Sequence, residues 1–201
     1  MRTLIKNGTV VTAERSFRAD ILIEGEKISQ IASAIDCADV EVVDAAGLLI
    51  LPGGIDAHVH INLPMGATVS SDDYYTGSKA AAFGGTTTMI DFVSQDPGSL
   101  AENVARKRAE AEDKAAIDYS LHMNITRFDE DVAEELAELP SLGIHSIKVF
   151  TAYNNRLRLS DGDIFKVMRI AGKLGLLTMV HAENGDVIEV LTKEALAAGH
   201  T

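Results

Sequence analysis

Strand and helix patterns alternate along the chain after Pro52, in five consecutive strand–helix units. Apolar, strand-like runs are separated by longer helical segments, one of which spans residues 161–174 and ends at Gly175. Such repetition indicates an α/β fold in which helices cover a parallel sheet. An open doubly wound sheet and a closed barrel are both consistent with this pattern.

The first 52 residues have a different pattern, in which short strands follow one another with no helical periodicity. Asn7 and Gly8 are expected to form a turn between strands at 4–6 and 9–12. We therefore expect a small β domain over residues 1–52 and a strand–helix domain over residues 53–201.

Composition limits the possible partners and the compartment. The net charge is −12 and the pI is about 4.8, which argues against nucleic acid or an anionic membrane surface as a partner. The single cysteine, Cys37, excludes an internal disulfide framework and fits a reducing compartment. Because no apolar run approaches the length of a membrane span, we expect a cytoplasmic protein.

Two histidines follow the apolar run 48–52 in the segment Gly-Gly-Ile-Asp-Ala-His-Val-His at 53–60. If the run continues as a strand, His58 and His60 project from the same face, about 6 to 7 Å apart. Two neutral imidazoles at that separation can share a metal ion. The alternative interpretation is a pair of histidines that serve only in the core.

Lys148 lies within the otherwise apolar strand 146–150. An unpaired ammonium deep in a parallel sheet is costly, so the amine tends towards its neutral form. A neutral amine can add carbon dioxide and become a carbamate with two oxygen ligands for metal ions. A lysine at a sheet edge, with its ammonium reaching solvent, is the alternative.

Four further histidines differ in their setting. His181 ends the strand 176–181, so that with His58, His60 and Lys148 it lies at or near the carboxyl end of a strand, where β/α barrels place their catalytic residues. His122 lies in the middle of a strand and is assigned to the core. His145 and His200 flank other elements and are expected to be solvated.

Four motifs in order along the chain resemble the cyclic amidohydrolases, in particular their dihydropyrimidinase and hydantoinase branch. They are Gly53 to His60, Ala82 to Thr87, Lys148 to Tyr153, and Val180 to Asn184. The resemblance implies a (β/α)₈ TIM-type barrel beside a small β-sandwich. About five of the eight βα units fall within this sequence.

The resemblance also implies a metal-dependent hydrolase that opens dihydropyrimidine or hydantoin rings to N-carbamoyl amino acids. His58 and His60 would bind one divalent ion, usually zinc, and His181 a second, with carboxylated Lys148 bridging them. Tyr153 would bind substrate and stabilise the oxyanion that forms at its carbonyl. We expect the full-length protein to be a homo-oligomer, either a tetramer or a dimer, that binds a small cyclic amide.

Two alternatives to this function remain open. Asn62 stands where dihydroorotase-like enzymes carry an arginine that binds a carboxylate, but allantoinases can have asparagine there. A non-catalytic, scaffold-type homologue is the other alternative, although every ligand expected within this span is present. The family's remaining ligands would lie beyond Thr201, so we expect residues 1–201 alone to be inactive.

Overall fold

The computed structural model describes residues 1–200 and divides the chain into two compact units, Met1–Gly53 and a second unit that begins at Gly54. Among the described residues, no helix combines the length and the apolar character needed to cross a bilayer.

The first unit is a β-sheet built around its first strand. Its strands are β1 (Arg2–Val11), β2 (Ser16–Glu24), β3 (Lys27–Ala32), β4 (Glu41–Asp44) and β5 (Leu49–Ile50). β1 pairs antiparallel with β2 and parallel with both β4 and β5, and β3 pairs with the far edge of β2. The all-β character of this region is confirmed.

The predicted turn at Asn7–Gly8 is wrong, because β1 runs through both residues with a bulge between Ile5 and Gly8. Asn7 takes a left-handed backbone conformation there, with φ 65°. The bulge turns its N–H towards the buried carboxylate of Asp20, to which it donates a hydrogen bond of 3.0 Å. The turn-forming pair therefore bends a strand instead of ending it.

The second unit alternates strands and helices. Its strands are β6 (Gly54–Asp56), β7 (Pro64–Met65), β8 (Thr68–Val69), β9 (Thr86–Val93), β10 (Asp118–Asn124), β11 (Ser146–Phe150) and β12 (Leu177–His181). Its helices are α1 (Tyr74–Phe83), α2 (Leu100–Ala111), α3 (Glu130–Glu135), α4 (Asp161–Leu174) and α5 (Gly185–Ala197), with a 3₁₀ helix at Leu139–Leu142.

Helix α4 shows how local sequence sets these bounds. Ser160 caps its first turn by accepting a hydrogen bond from the N–H of Asp163, and Gly175 ends it with φ 71°. The predicted bounds of α4 and of the strand that carries Lys148 are confirmed.

Strand order distinguishes the two architectures that the sequence leaves open. Among residues 1–200 the main sheet has the order β6-β9-β10-β11-β12, and every neighbouring pair is parallel. A doubly wound sheet reverses direction partway across, whereas a β/α barrel adds each strand beside the previous one. The sheet is therefore part of a (β/α)₈-type barrel.

The core of this unit lies between the sheet and its covering helices. Buried side chains from β10 and β11, including Met123, Ile147 and Val149, pack with Val104 of α2 and Val167 of α4. This packing fixes the strands, and with them the positions of the residues at their carboxyl ends.

Candidate metal centre

His58 and His60 lie beside each other, but not on a strand. β6 ends at Asp56, two residues before His58 and four before His60, so the predicted continuation of the strand through both histidines is wrong. Their ring centroids are nevertheless 5.3 Å apart. Phe92, from the end of β9, packs against both rings, with centroid distances of 4.6 Å to His58 and 4.9 Å to His60.

The surroundings of the pair favour uncharged imidazoles. Burial lowers the pKa of both His58 and His60, and the nearby Lys148 ammonium lowers each pKa further. The neutral ring is the form that binds a metal ion.

Lys148 reaches the same place from β11. Its side chain is buried, at 7% exposure for the residue, and Nζ lies 3.3 Å from Nε2 of His58. The amine also sits 4.4 Å from the ring centroid of Phe92 and 5.2 Å from that of Phe150. Burial lowers the pKa of the Lys148 amine, and no carboxylate of the described residues forms an ion pair with it.

His181 lies on the neighbouring strand, two positions further along in register. In the pairing of β11 with β12, Lys148 is opposite Met179 and Phe150 is opposite His181. The His181 ring is 5.9 Å from that of Phe150, and its Nε2 contacts the Glu183 carboxylate at 2.5 Å. His181 thus lies towards the same carboxyl-terminal end of the parallel strands as Lys148.

The Tyr153 ring packs beside the His181 ring at a tilted angle, with 4.9 Å between their centroids. Its backbone φ is 64°, a left-handed conformation that is unusual for a bulky residue and is typical of strained functional loops. The hydroxyl of Thr151 supports this loop, because its one hydrogen lies between two carbonyl acceptors, those of Glu183 at 2.6 Å and His181 at 2.9 Å from Oγ1.

The loop also depends on a glycine. A Cβ on Gly185 would lie 2.5 Å from the Asn154 side chain and 3.0 Å from the Thr151 carbonyl. The start of α5 therefore packs closely against the loop that carries Tyr153.

A buried carboxylate anchors the residue after His60. Asp91, at 1% exposure, accepts a hydrogen bond of 2.8 Å from the Tyr74 hydroxyl and pairs with Lys107 at 3.0 Å. Lys107 in turn donates to the carbonyl of Ile61 at 2.8 Å. Burial, and after it the charge of Asp91, raises the pKa of Tyr74, which keeps its hydroxyl protonated as a donor.

Phe92, Asp91 and His122 are parts of the site to which the sequence analysis gave no role there. His122 is a core residue, as predicted, but its ring also hydrogen-bonds Ala57 and Ser146. The sequence signal for Asp91 and His122 is a polar residue inside an otherwise apolar strand. His145 and His200 are exposed, as predicted.

The donor set fits a divalent ion only if Lys148 is modified. Among residues 1–200, no three His, Cys, Asp or Glu side chains converge closely enough to hold a metal ion by themselves. His58 and His60 supply two imidazoles, and the third group beside them is the buried Lys148 amine, which has no anionic partner in the part of the chain that the structure describes. A carbamate on Lys148 would convert this repulsive amine into an oxygen ligand.

These observations define a β/α-barrel protein with a histidine–lysine cluster at the carboxyl end of its strands. The chain belongs to the amidohydrolase family, whose sequence pattern matches residues 49–201. Hydantoinases in this family are generally metal-dependent.

Individual relatives match the whole chain. A D-hydantoinase from Geobacillus stearothermophilus is 47% identical over 203 residues, covering 100% of this chain and 43% of that protein. A dihydropyrimidinase from Dictyostelium discoideum is 42% identical and covers 98% of this chain and 40% of that protein. The crystal structure of dihydropyrimidinase from Brevibacillus agri superimposes with a TM-score of 0.96 at 49% identity, covering 100% of this chain and 44% of that one.

The chain thus spans less than half the length of the relatives that it matches. The match confirms the predicted resemblance and the partial barrel.

Proposed function

We propose that the complete protein is a metal-dependent hydrolase that opens dihydropyrimidine or hydantoin rings to N-carbamoyl amino acids. One observation carries the proposal: His58, His60 and Lys148 converge from separate parts of the chain, and Lys148 is buried there with no carboxylate partner among residues 1–200. An arrangement that costs stability in this way is explained by a role in chemistry. The names of the hydantoinase and dihydropyrimidinase relatives support the substrate class.

The resemblance to the hydantoinases implies the ligand roles, and the chemistry of each side chain is compatible with them. His58 and His60 would hold one divalent ion through neutral imidazoles, and His181 would hold a second. The neutral Lys148 amine forms a bond from Nζ to the carbon of carbon dioxide and releases a proton to solvent, which gives N6-carboxylysine. Its carboxylate would supply oxygen ligands to the ions, and zinc is the proposed metal.

When bound, the divalent ions supply a Lewis acid that polarises the ring carbonyl and a means of acidifying the attacking water. Tyr153 binds the substrate and donates its phenolic hydrogen to the carbonyl oxygen as negative charge develops there. The left-handed backbone of Tyr153 and the Thr151 hydroxyl support a loop that keeps the Tyr153 ring beside the His181 ring before substrate arrives. This prior positioning favours the transition state over the ground state.

The remaining parts of the proposal concern the whole protein. We propose a cytoplasmic homo-oligomer, a dimer or a tetramer, that binds neither nucleic acid nor membrane. The charge of −12 over these 201 residues argues against nucleic-acid and anionic-membrane partners, and their single cysteine fits a reducing compartment.

The test is ring opening by the complete protein after metal removal and reloading. Chelator-treated protein should be inactive, and added zinc or manganese should restore hydrolysis of hydantoin or dihydrouracil, measured as N-carbamoyl product by mass spectrometry. His58→Ala should lose bound metal and activity, whereas His145→Ala, at an exposed histidine, should keep both. Hydrolysis that persists without metal would refute the proposal. Cleavage of allantoin alone would assign the chain to the allantoinase alternative.

A further inference from the structure

The segment that carries His58 and His60 has left the sheet. The last residues of β6 that pair with β9 are Ile55 and Asp56, opposite Thr88 and Met89. After them one backbone bond, from the Val59 N–H to the Ile90 carbonyl at 3.1 Å, continues towards the histidines. The orientation of the peptide units on either side of His58 must therefore depend on other contacts.

His122 provides such a contact from two strands away. It lies in β10, is 5% exposed, and its Nε2 is 3.0 Å from the carbonyl oxygen of Ala57. A carbonyl can only accept, so that Nε2 must carry the hydrogen. Nδ1 is then an acceptor, and it accepts from the hydroxyl of Ser146 at the start of β11.

His122 also supports the imidazole rings of His58 and His60 through Phe92. Phe92 packs against His122 at 4.9 Å between centroids, and its ring is in contact with both His58 and His60. A shift of the His122 ring would therefore reach the histidine pair both through the Ala57 peptide and through Phe92.

We propose that His122 is a positioning residue for the metal-binding pair, acting by the hydrogen bond from its Nε2 to the Ala57 carbonyl. This role rests on the proposed function of His58 and His60 as ligands. It predicts that the donor at Nε2, and not merely the volume of the side chain, sets how well the pair binds a metal ion.

Two variants of the complete protein distinguish the effect of the hydrogen-bond donor at position 122 from the effect of side-chain volume. In His122→Gln the amide nitrogen takes the place of Nε2 and can still donate to Ala57, whereas His122→Met has similar length and no donor. Contacts that orient ligands typically change metal affinity by about 10- to 100-fold. We expect His122→Met to weaken zinc affinity by this factor, and His122→Gln to recover most of it.

Zinc affinity is measured by competition with a chromophoric chelator. The midpoint of thermal unfolding is measured for each metal-free variant to show that it is folded. His145→Met serves as the matched control at an exposed position. A folded His122→Met that binds zinc as tightly as wild type overturns the proposal. If His122→Met fails to fold, His122→Asn replaces it, because its shorter amide can meet Ser146 but cannot reach Ala57.

The Asn variant overturns the proposal if it binds zinc as tightly as the Gln variant. Wild-type protein that binds no zinc would instead refute the proposed function, and the positioning role with it. If the wild-type protein binds zinc and the variants bind it with the same affinity, only the positioning role is refuted.

Discussion

Replacing Lys148 with methionine tests whether this residue is retained for chemistry at the expense of stability. Its amine is buried, lies 3.3 Å from an imidazole whose charged form would repel it, and has no carboxylate partner among the described residues. Methionine preserves the length of the side chain and removes the amine. We therefore expect Lys148→Met to stabilise the metal-free protein and to abolish the binding of two metal ions.

The expected change in the free energy of unfolding is the balance of opposing contributions. An unpaired buried ion carries an effective penalty of several kcal/mol, and replacing buried ionic groups with well-packed apolar ones often gains about 1 to 4 kcal/mol. The amine recovers part of that penalty from its positions over Phe92 and Phe150, at about 0.5 to 2 kcal/mol each, and from losing its proton. The expected net gain is about 1 to 3 kcal/mol in the free energy of unfolding.

The assay is urea unfolding of the complete protein after chelator treatment, in buffer depleted of carbon dioxide so that Lys148 carries no carbamate. Lys166→Met is the matched control, because the Lys166 side chain is 60% exposed on α4. Its effect should stay within about 0.5 kcal/mol. Metal content is measured on both variants after reloading with zinc.

A loss of more than about 1 kcal/mol in metal-free Lys148→Met would refute this reasoning, since it would assign Lys148 a structural role comparable with other core residues. Retention of two bound ions by the same variant would remove Lys148 from the proposed site.

Three further predictions concern other parts of the chain. Tyr153→Phe in the complete protein should lower turnover by about 10²- to 10³-fold with metal content and melting temperature unchanged, and misfolding would assign the hydroxyl to packing instead. Hydrogen bonds from the N–H groups of Asn7 and Ile35 hold the pKa of Asp20 below its usual range, so its stabilisation is present above about pH 4 and is lost as pH falls through the lower folded value. Asp20→Asn should therefore lose about 1 to 3 kcal/mol at pH 7 and show a flatter acid-unfolding curve, whereas an unchanged curve would contradict the assignment. Residues 1–201 expressed alone should show no hydrolysis of hydantoin and a tendency to associate through the edges of β6 and β12, and a monodisperse active monomer would contradict this.

Helices and strands whose bounds are determined by neighbouring residues in the chain could be predicted from the sequence. Helix α4 spans 161–174 and ends at Gly175, as predicted, and the structure adds Ser160 as the cap of its first turn. Such caps act within one turn of the chain. Both ends of the strand that carries Lys148 were also predicted correctly, because a short and largely apolar run is typical of a buried strand.

Features that depend on distant contacts were predicted less well. Asn7–Gly8 has the composition of a turn, but Asp20, thirteen residues away, stabilises the bulge instead. His58 and His60 lie beyond the end of β6, so that their proximity comes from Phe92 packing against both rings and not from strand alternation. Sequence spacing cannot show a contact of this kind, because Phe92 comes from the neighbouring strand.

Diffraction from crystals of the complete protein grown with zinc and bicarbonate tests the central claim most directly. The account predicts two anomalous peaks at the zinc edge, one beside His58 and His60 and one beside His181, with carboxylate density extending from Nζ of Lys148 between them. An unmodified Lys148 in a zinc-loaded crystal, or zinc bound away from these histidines, would contradict it.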